Sequence, residues 1–336
     1  MCYNGWYLKL RKSGTYGVSQ AVLTWKQVKC LQGASSEQNV NTGSTEPVEG
    51  KKSNSSVGLR WLTAAIGMPI VLLFVWFGGW AAFAAILLII VLGTFELHAM
   101  LRHIGYHPLI WISLGLCVVF LLSAMFPSQR LLLLEIGLGA CLPASFVWIF
   151  FRRQKLEGAL VDWALTLAIA VYLGWPMSYF LLIRGYEPGM LHLSERTWLS
   201  LPPGVWWLLV TLLGVWGFDA SAFFAGRYFG RHKLAPTISP AKTWEGVIGG
   251  MMLSITASLV LTVLPLGVPW YLAILLGILI GAAGTIGDLA ESLIKRQTRV
   301  KDSGQIIPGH GGMLDRVDSL LFAVMVVYFF SLFFVR

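Results

Sequence analysis

From Arg60 onward the chain is built of apolar blocks close to twenty residues long, and that length constrains the fold more than anything else in the sequence. A helix rises about 1.5 Å per residue, so about 20 apolar residues match the hydrocarbon thickness of a bilayer. Nine such blocks fall at about 61–77, 79–95, 109–126, 131–151, 159–183, 205–226, 246–264, 269–292 and 318–335. Of the 336 residues, 56% are hydrophobic and only 12% charged. Soluble domains carry roughly 25% charged residues, so this chain cannot cover a water-facing surface. The expected fold class is an all-α integral membrane protein with about nine transmembrane helices.

Charge orients the spans. With nine crossings, one side holds the N-terminal tail and the loops after spans two, four, six and eight. Those segments carry Arg60, Arg102, Arg152, Arg153, Lys155, Arg227, Arg231, Lys233, Lys242, Lys295, Arg296, Arg299, Lys301 and Arg316. The other side holds Arg130, Arg184, Arg196 and Arg336. The positive-inside rule puts the first set, and the N-terminus, in the cytoplasm. The net charge of +9 therefore reports cytoplasmic loops and anionic ligands, and no nucleic acid is expected as a partner.

Three regions follow. Residues 1–57 form a polar extension, rich in Ser, Asn, Gly and Glu from Cys30 to Val57, and are expected to be disordered. Residues 58–214 are N-terminal transmembrane helices. Residues 215–336 form a transmembrane region with two cytoplasmic segments, the part of the chain expected to be catalytic on the residues described next. Cys2, Cys30, Cys117 and Cys141 show neither a disulfide framework nor a zinc spacing.

The polar chemistry is concentrated in those two segments. In the first, Asp219 lies late in an apolar span, where a carboxylate normally faces a polar cavity or a partner such as Arg227. Ser239 before Pro240 reads as a helix N-cap, which would place Lys242 and Thr243 in a first turn suited to an anion. In the second, Asp288 and Glu291 share one helix face, continued by Ser292 and Lys295. Asp315 and Asp318 repeat the three-residue spacing. Two carboxylate pairs thus bracket a loop with Lys295, Arg296, Arg299 and Lys301. Carboxylates beside cations suit a magnesium–phosphate complex, and one solvated salt-bridge network is the plainer alternative. The glycines around His310 can expose N–H groups to an anion. His310 itself could be a general acid, a ligand contact or a turn residue.

The run Ser292, Lys295, Arg296, Lys301, Asp302, Pro308, His310, Gly311, Gly312, Asp315, Arg316 and Asp318 resembles the signature of the CDP-diacylglycerol synthase (phosphatidate cytidylyltransferase) family. The first segment resembles it through Asp219, Gly226, Arg227, Gly230, Arg231, Ser239, Lys242, Thr243, Glu245 and Gly246. It departs at Ala241, where the family commonly has lysine, and at Ala220 and Ser221. The resemblance covers about 215–335 closely and 58–214 only in topology.

The resemblance implies transfer of the cytidylyl group of CTP to phosphatidic acid, giving CDP-diacylglycerol and pyrophosphate. It implies Mg2+, with a second metal ion left open. Asp288 and Asp315 are the first choices as metal ligands, then Glu291 and Asp318, then Asp219. Candidate catalytic residues are Lys295, Arg296, Lys301, Asp302, His310 and Arg316. Candidate substrate contacts are Arg227, Ser239, Lys242, Thr243, Ser292, Gly311 and Gly312. The expected location is a cell membrane, as a multi-pass protein of a bacterial inner membrane, with the site facing the cytoplasm. Assembly, with a homodimer as one form, is left open. Two other readings are a CTP-dependent transferase acting on another membrane lipid, such as an isoprenoid ether lipid, and a transporter. A transporter should show related halves and midplane charges, whereas these charges gather at one face.

Overall fold

The computed structural model describes residues 5–12, 19–26, 55–152, 157–185, 201–304 and 311–335. Contacts divide the chain into two units, Met1–Lys52 and Ser53–Arg336. In the first, β1 (Gly5–Lys12) pairs antiparallel with β2 (Ser19–Lys26), Gly5 opposite Lys26 and Lys12 opposite Ser19. The extension expected to be disordered therefore contains a hairpin. The polar, Ser-, Asn-, Gly- and Glu-rich composition belongs to residues 30–57, whereas the strands carry the β-formers Trp6, Tyr7, Val22 and Trp25. Residues 27–54 lie outside the described set.

The second unit is helical. It comprises α1 (Ser55–Phe77), α2 (Gly79–His103), α3 (Ile110–Met125), α4 (Arg130–Arg152), α5 (Ala159–Ile169), α6 (Trp175–Arg184), α7 (Pro203–Phe229), α8 (Trp244–Ser258), α9 (Leu264–Leu266), α10 (Trp270–Gln297) and α11 (Leu314–Phe334). Among the described residues, seven helical stretches are long and apolar enough to cross a membrane; α3 and Ile66–Phe77 of α1 are shorter apolar helices. Every apolar block read from the sequence is a helical stretch. Helix α4 turns Leu131 and Phe151 outward at 70% and 85% exposure, an arrangement suited to lipid.

Two blocks pass through a π-helical turn, at Ala170–Gly174 between α5 and α6 and at Leu259–Val263 between α8 and α9. Each has a proline just beyond it, Pro176 and Pro265. Proline has no N–H for the carbonyl four residues back, here Tyr172 and Leu261, and its ring crowds that carbonyl; the helix widens there.

Cross-helix contacts sort the connections into two ends. At one end the α2–α3 connection meets α5: His107 N donates to Asp162 Oδ1 at 2.8 Å, and Leu109 N to Thr166 Oγ1 at 2.8 Å. At the other, Arg184 Nε and Nη2 donate to the Val75 and Trp76 carbonyls, beside Gly78 at φ 63°. The Trp80 ring lies 6.3 Å from Phe126, and Arg130 sits over Tyr179, at that same end. The core runs through Leu121, Leu173, Trp207, Leu276, Ile280 and Leu321, all buried.

The region 215–336 contains close helix approaches. A Cβ at Gly287 of α10 would stand 2.3 Å from the Asp318 carbonyl oxygen of α11, and one at Gly249 of α8 would stand 2.4 Å from Ala225 Cβ of α7. Small residues let backbones meet where lipid gives no hydrophobic drive. This closeness brings α7, α8, α10 and α11 together around their polar ends.

Candidate active site

After α7 the chain does not go directly into a helix. It forms an antiparallel pair, β3 (Lys233–Ala235) with β4 (Ser239–Thr243). This corrects the expected Ser239 N-cap. Ser239 and Pro240 are strand residues, and Thr243 is the N-cap of α8, its Oγ1 accepting from Gly246 N at 3.2 Å. Lys242 and Thr243 therefore precede the first turn. The physical reason is that Ser239 is held opposite Ala235, and proline is tolerated on a two-stranded edge. Together with the N-terminal hairpin, this pair qualifies the all-α description. At the base of the hairpin Glu245 accepts from Arg231 N and His232 N and pairs with His232 Nδ1 at 2.6 Å.

The two polar segments meet. Lys242 Nζ lies 2.6 Å from Asp288 Oδ2 of α10, an ion pair. Arg296 Nε donates to the Ile238 carbonyl at 3.2 Å, tying the end of α10 to the hairpin turn. Within the second segment Lys295 Nζ is shared, 2.7 Å from Glu291 Oε2 and 2.7 Å from Asp315 Oδ1. Asp315 Oδ2 accepts from Ser303 N, Ser303 Oγ and Gly312 N at 3.1, 2.9 and 3.0 Å. Ser292, buried, donates to Asp288 at 3.4 Å. Asp318, also buried, accepts from Ser319 N at 2.6 Å.

Asp219 on α7 is exposed and lies in the electrostatic field of Asp318, Asp288, Lys242 and Arg316. It makes no ion pair with Arg227 among the described residues; Arg227 is exposed two turns further along α7. Lys301 and Asp302 stand exposed in a bend, without a side-chain partner among the described residues. Arg316 is exposed in the first turn of α11. Gly311 has φ 84°, and a Cβ there would reach 3.0 Å from Asp315 Oδ2. His310 lies outside the described residues.

The structure thus brings together Lys242, Asp288, Glu291, Ser292, Lys295, Asp315 and Asp318, with Asp219 and Arg316 at their margin. It sets Arg227, Lys301 and Asp302 apart from any such contact. Arg296 faces the hairpin. The described residues contain no group of three His, Cys, Asp or Glu placed to hold a metal ion. The buried Glu291 Oε1, however, has no donor among the described residues, its carboxyl standing against those of Asp315 and Asp318, and the Tyr172 hydroxyl, in the field of Glu291, Asp318 and Asp288, has no partner either. An orphaned carboxylate oxygen in a dry setting calls for a donor or a cation.

Sequence reasoning missed three residues here. Glu96 on α2, 4% exposed, accepts from Met313 N and Leu314 N at 2.8 and 2.9 Å and from Ser303 Oγ at 3.2 Å. A lone carboxylate in an apolar helix was the available signal, hidden because the block was ended at residue 95. Ser303 carried no signal beyond lying between signature positions. Tyr172 could have been found only through the widening ahead of Pro176.

Fold and site together define an integral membrane protein, mainly helical, with a charge-paired polar centre where two inter-helix segments converge. The sequence matches the cytidylyltransferase family over residues 58–334, and the chain belongs to that family. It is 35% identical over 296 residues to a phosphatidate cytidylyltransferase of Synechocystis sp., covering 81% of this chain and 95% of that protein. It is 33% identical over 270 residues to one from Staphylococcus haemolyticus, covering 79% and 95%. To one from Haemophilus influenzae it is 44% identical over 156 residues, covering 44% and 54%.

Proposed function

We propose that the chain transfers the cytidylyl group of CTP to phosphatidic acid at this centre. A phosphate oxygen of phosphatidate attacks the α-phosphorus of CTP. The bond from that phosphorus to the bridging oxygen breaks, and pyrophosphate leaves with the electron pair. The nucleophile is already ionised at neutral pH, so no strong base is required. The obstacle is bringing anions together and stabilising the leaving charge, which positioned cations supply. Lys242 and Lys295, each now facing carboxylates, are placed to exchange them for phosphate oxygens. Arg316 adds positive charge at the margin, and Lys301, exposed and without a side-chain partner among the described residues, is open to a phosphate. The observation that carries the reading is the joining of both segments through Lys242 and Asp288.

Mg2+ fits the donor set. It takes oxygen ligands, binds through one or two carboxylates and completes its shell with phosphates and water, so a group of three protein ligands is not required. Asp288 and Asp315 would hold it, with Glu291, Asp318 and Asp219 as further donors; the Glu291 Oε1 left without a hydrogen-bond donor supports this placement. When bound, it would neutralise charge on the nucleotide phosphates. The proposal includes nine crossings, the N-terminus and the polar centre in the cytoplasm, and a cell-membrane location. The two-ended sorting of connections supports that topology, and the basic residues of the even-numbered loops support its orientation.

The test is label transfer by the purified protein from CTP labelled at the α-phosphate, offered phosphatidate or an isoprenoid ether lipid, with and without Mg2+. Labelled lipid only with phosphatidate and Mg2+ is expected. Labelling of the ether lipid in preference to phosphatidate would move the assignment to the other substrate class.

A further inference from the structure

We propose that Glu96 is a positioning residue for Asp315, holding the carboxylate in place from a helix that carries no signature motif. The inference rests on Asp315 belonging to the active site. A buried carboxylate is costly unless its lone pairs are met. Among the described residues the partners of Glu96 are not cations. They are the N–H groups of Met313 and Leu314, where α11 begins, and the hydroxyl of Ser303. The N-cap position of α11, Met313, makes no side-chain cap of its own. Glu96 is therefore a cap imported from α2, meeting N–H groups that a helix start leaves open and placing negative charge at the positive end of the helix.

The neighbouring backbone is cut to admit this carboxylate. A Cβ at Gly304 or at Gly312 would each stand 2.6 Å from a Glu96 oxygen. From Glu96 a polar chain leads into the site: Ser303 Oγ is 3.2 Å from Glu96 Oε2 and 2.9 Å from Asp315 Oδ2, and Asp315 in turn holds Lys295, which holds Glu291. Ser303 has one hydroxyl proton and two acceptors. The two carboxylates therefore share one donor, which serves one of them at a time while Ser303 N also donates to Asp315 Oδ2, so moving Glu96 moves the donor that orients Asp315. The first turn of α11, which presents Asp315, is fixed by the same carboxylate.

The experiment uses the full chain in detergent. Glu96→Gln keeps the shape but turns one acceptor into a donor, so Met313 N or Leu314 N faces an N–H. Its kcat/KM is expected to fall ~10–100-fold, the scale for lost supporting hydrogen bonds around a site. The CTP KM should rise, which a mere loss of folded protein would not produce. Backbone hydrogen exchange should quicken over residues 303–304 and 311–316 and stay unchanged in α7 and α8. Ser303→Ala should act in the same direction, and the double variant should lose less than the product of the two effects, because both lie on one chain of contacts. Wild-type kinetics for Glu96→Gln, multiplying effects, or faster exchange throughout the bundle would overturn the inference. Should Glu96→Gln fail to fold, Ser303→Ala decides alone, and wild-type kinetics there overturn it. Asp315→Asn separates the two levels. Its normal turnover would refute the site itself, whereas its inactivity beside fully active Glu96→Gln and Ser303→Ala would refute only the role of Glu96.

Discussion

Lys295 sits between two acids with its side chain 15% exposed, while Glu291 and Asp315 are 1% and 11% exposed. Removing the cation from such a triad leaves two carboxylates facing each other, a loss on the order of 3–5 kcal/mol when a buried pair is broken. Lys295→Met should therefore lower the thermal midpoint in detergent and abolish cytidylyl transfer; an unchanged midpoint would show the triad to be energetically idle. Lys301 is the contrast. It is exposed and partnerless among the described residues, so Lys301→Ala should leave stability within about 0.5 kcal/mol and raise the CTP KM. Unchanged kinetics would remove it from the site. At this scale the pairs Asp288 with Glu291 and Asp315 with Asp318 were legible, because helical spacing of three puts both on one face. The i,i+4 meeting of Glu291 with Lys295 was legible too, but the pairings across elements were not. Lys242 and Asp288 lie on different elements, and only the packing of α8 on α10 brings them together. Glu96 carried a signal as a lone carboxylate in an apolar helix, but its partners at the start of α11 were illegible for the same reason.

Helix positions followed from the apolar blocks, since a bilayer leaves a backbone little choice but to satisfy itself within each span. The ends did not follow. Ser239 and Pro240 carry a helix-start signal, yet strand pairing with Ala235 overrides it and delays the helix to Trp244. Thr243 is the residue that caps it, so Thr243→Val should cost about 1 kcal/mol and weaken CTP binding through the displaced Lys242. Equal affinity for CTP in that variant would separate the cap from the site. Between α10 and α11 the decisive feature is backbone proximity. Gly287→Ala inserts a methyl group 2.3 Å from the Asp318 carbonyl, so the helices must part and the acids on both must shift. Loss of activity with a lowered thermal midpoint is expected. Retention of both would mean that α10 and α11 can separate without disturbing the centre.

Across the whole molecule, the sorting of connections into two ends underlies the topology. With the native cysteines replaced, Ser128→Cys in the α3–α4 connection should react with an impermeant maleimide added to intact cells. Thr237→Cys, in the β3–β4 turn, should react only after the membrane is opened. The reverse pattern would invert the orientation. The separation into two units also gives an expectation: deleting residues 2–52 should leave turnover largely intact, since α1 starts beyond them. The central claim is that acids from the start of α11 and the end of α10 form one cytidylyl-transfer centre with the lysines beside them. The most direct measurement is the rate at which purified Asp288→Asn and Asp315→Asn proteins, each shown to be folded in detergent, move label from CTP to phosphatidate. Both are expected to lose Mg2+-dependent transfer almost entirely, and a wild-type rate from either would contradict the account.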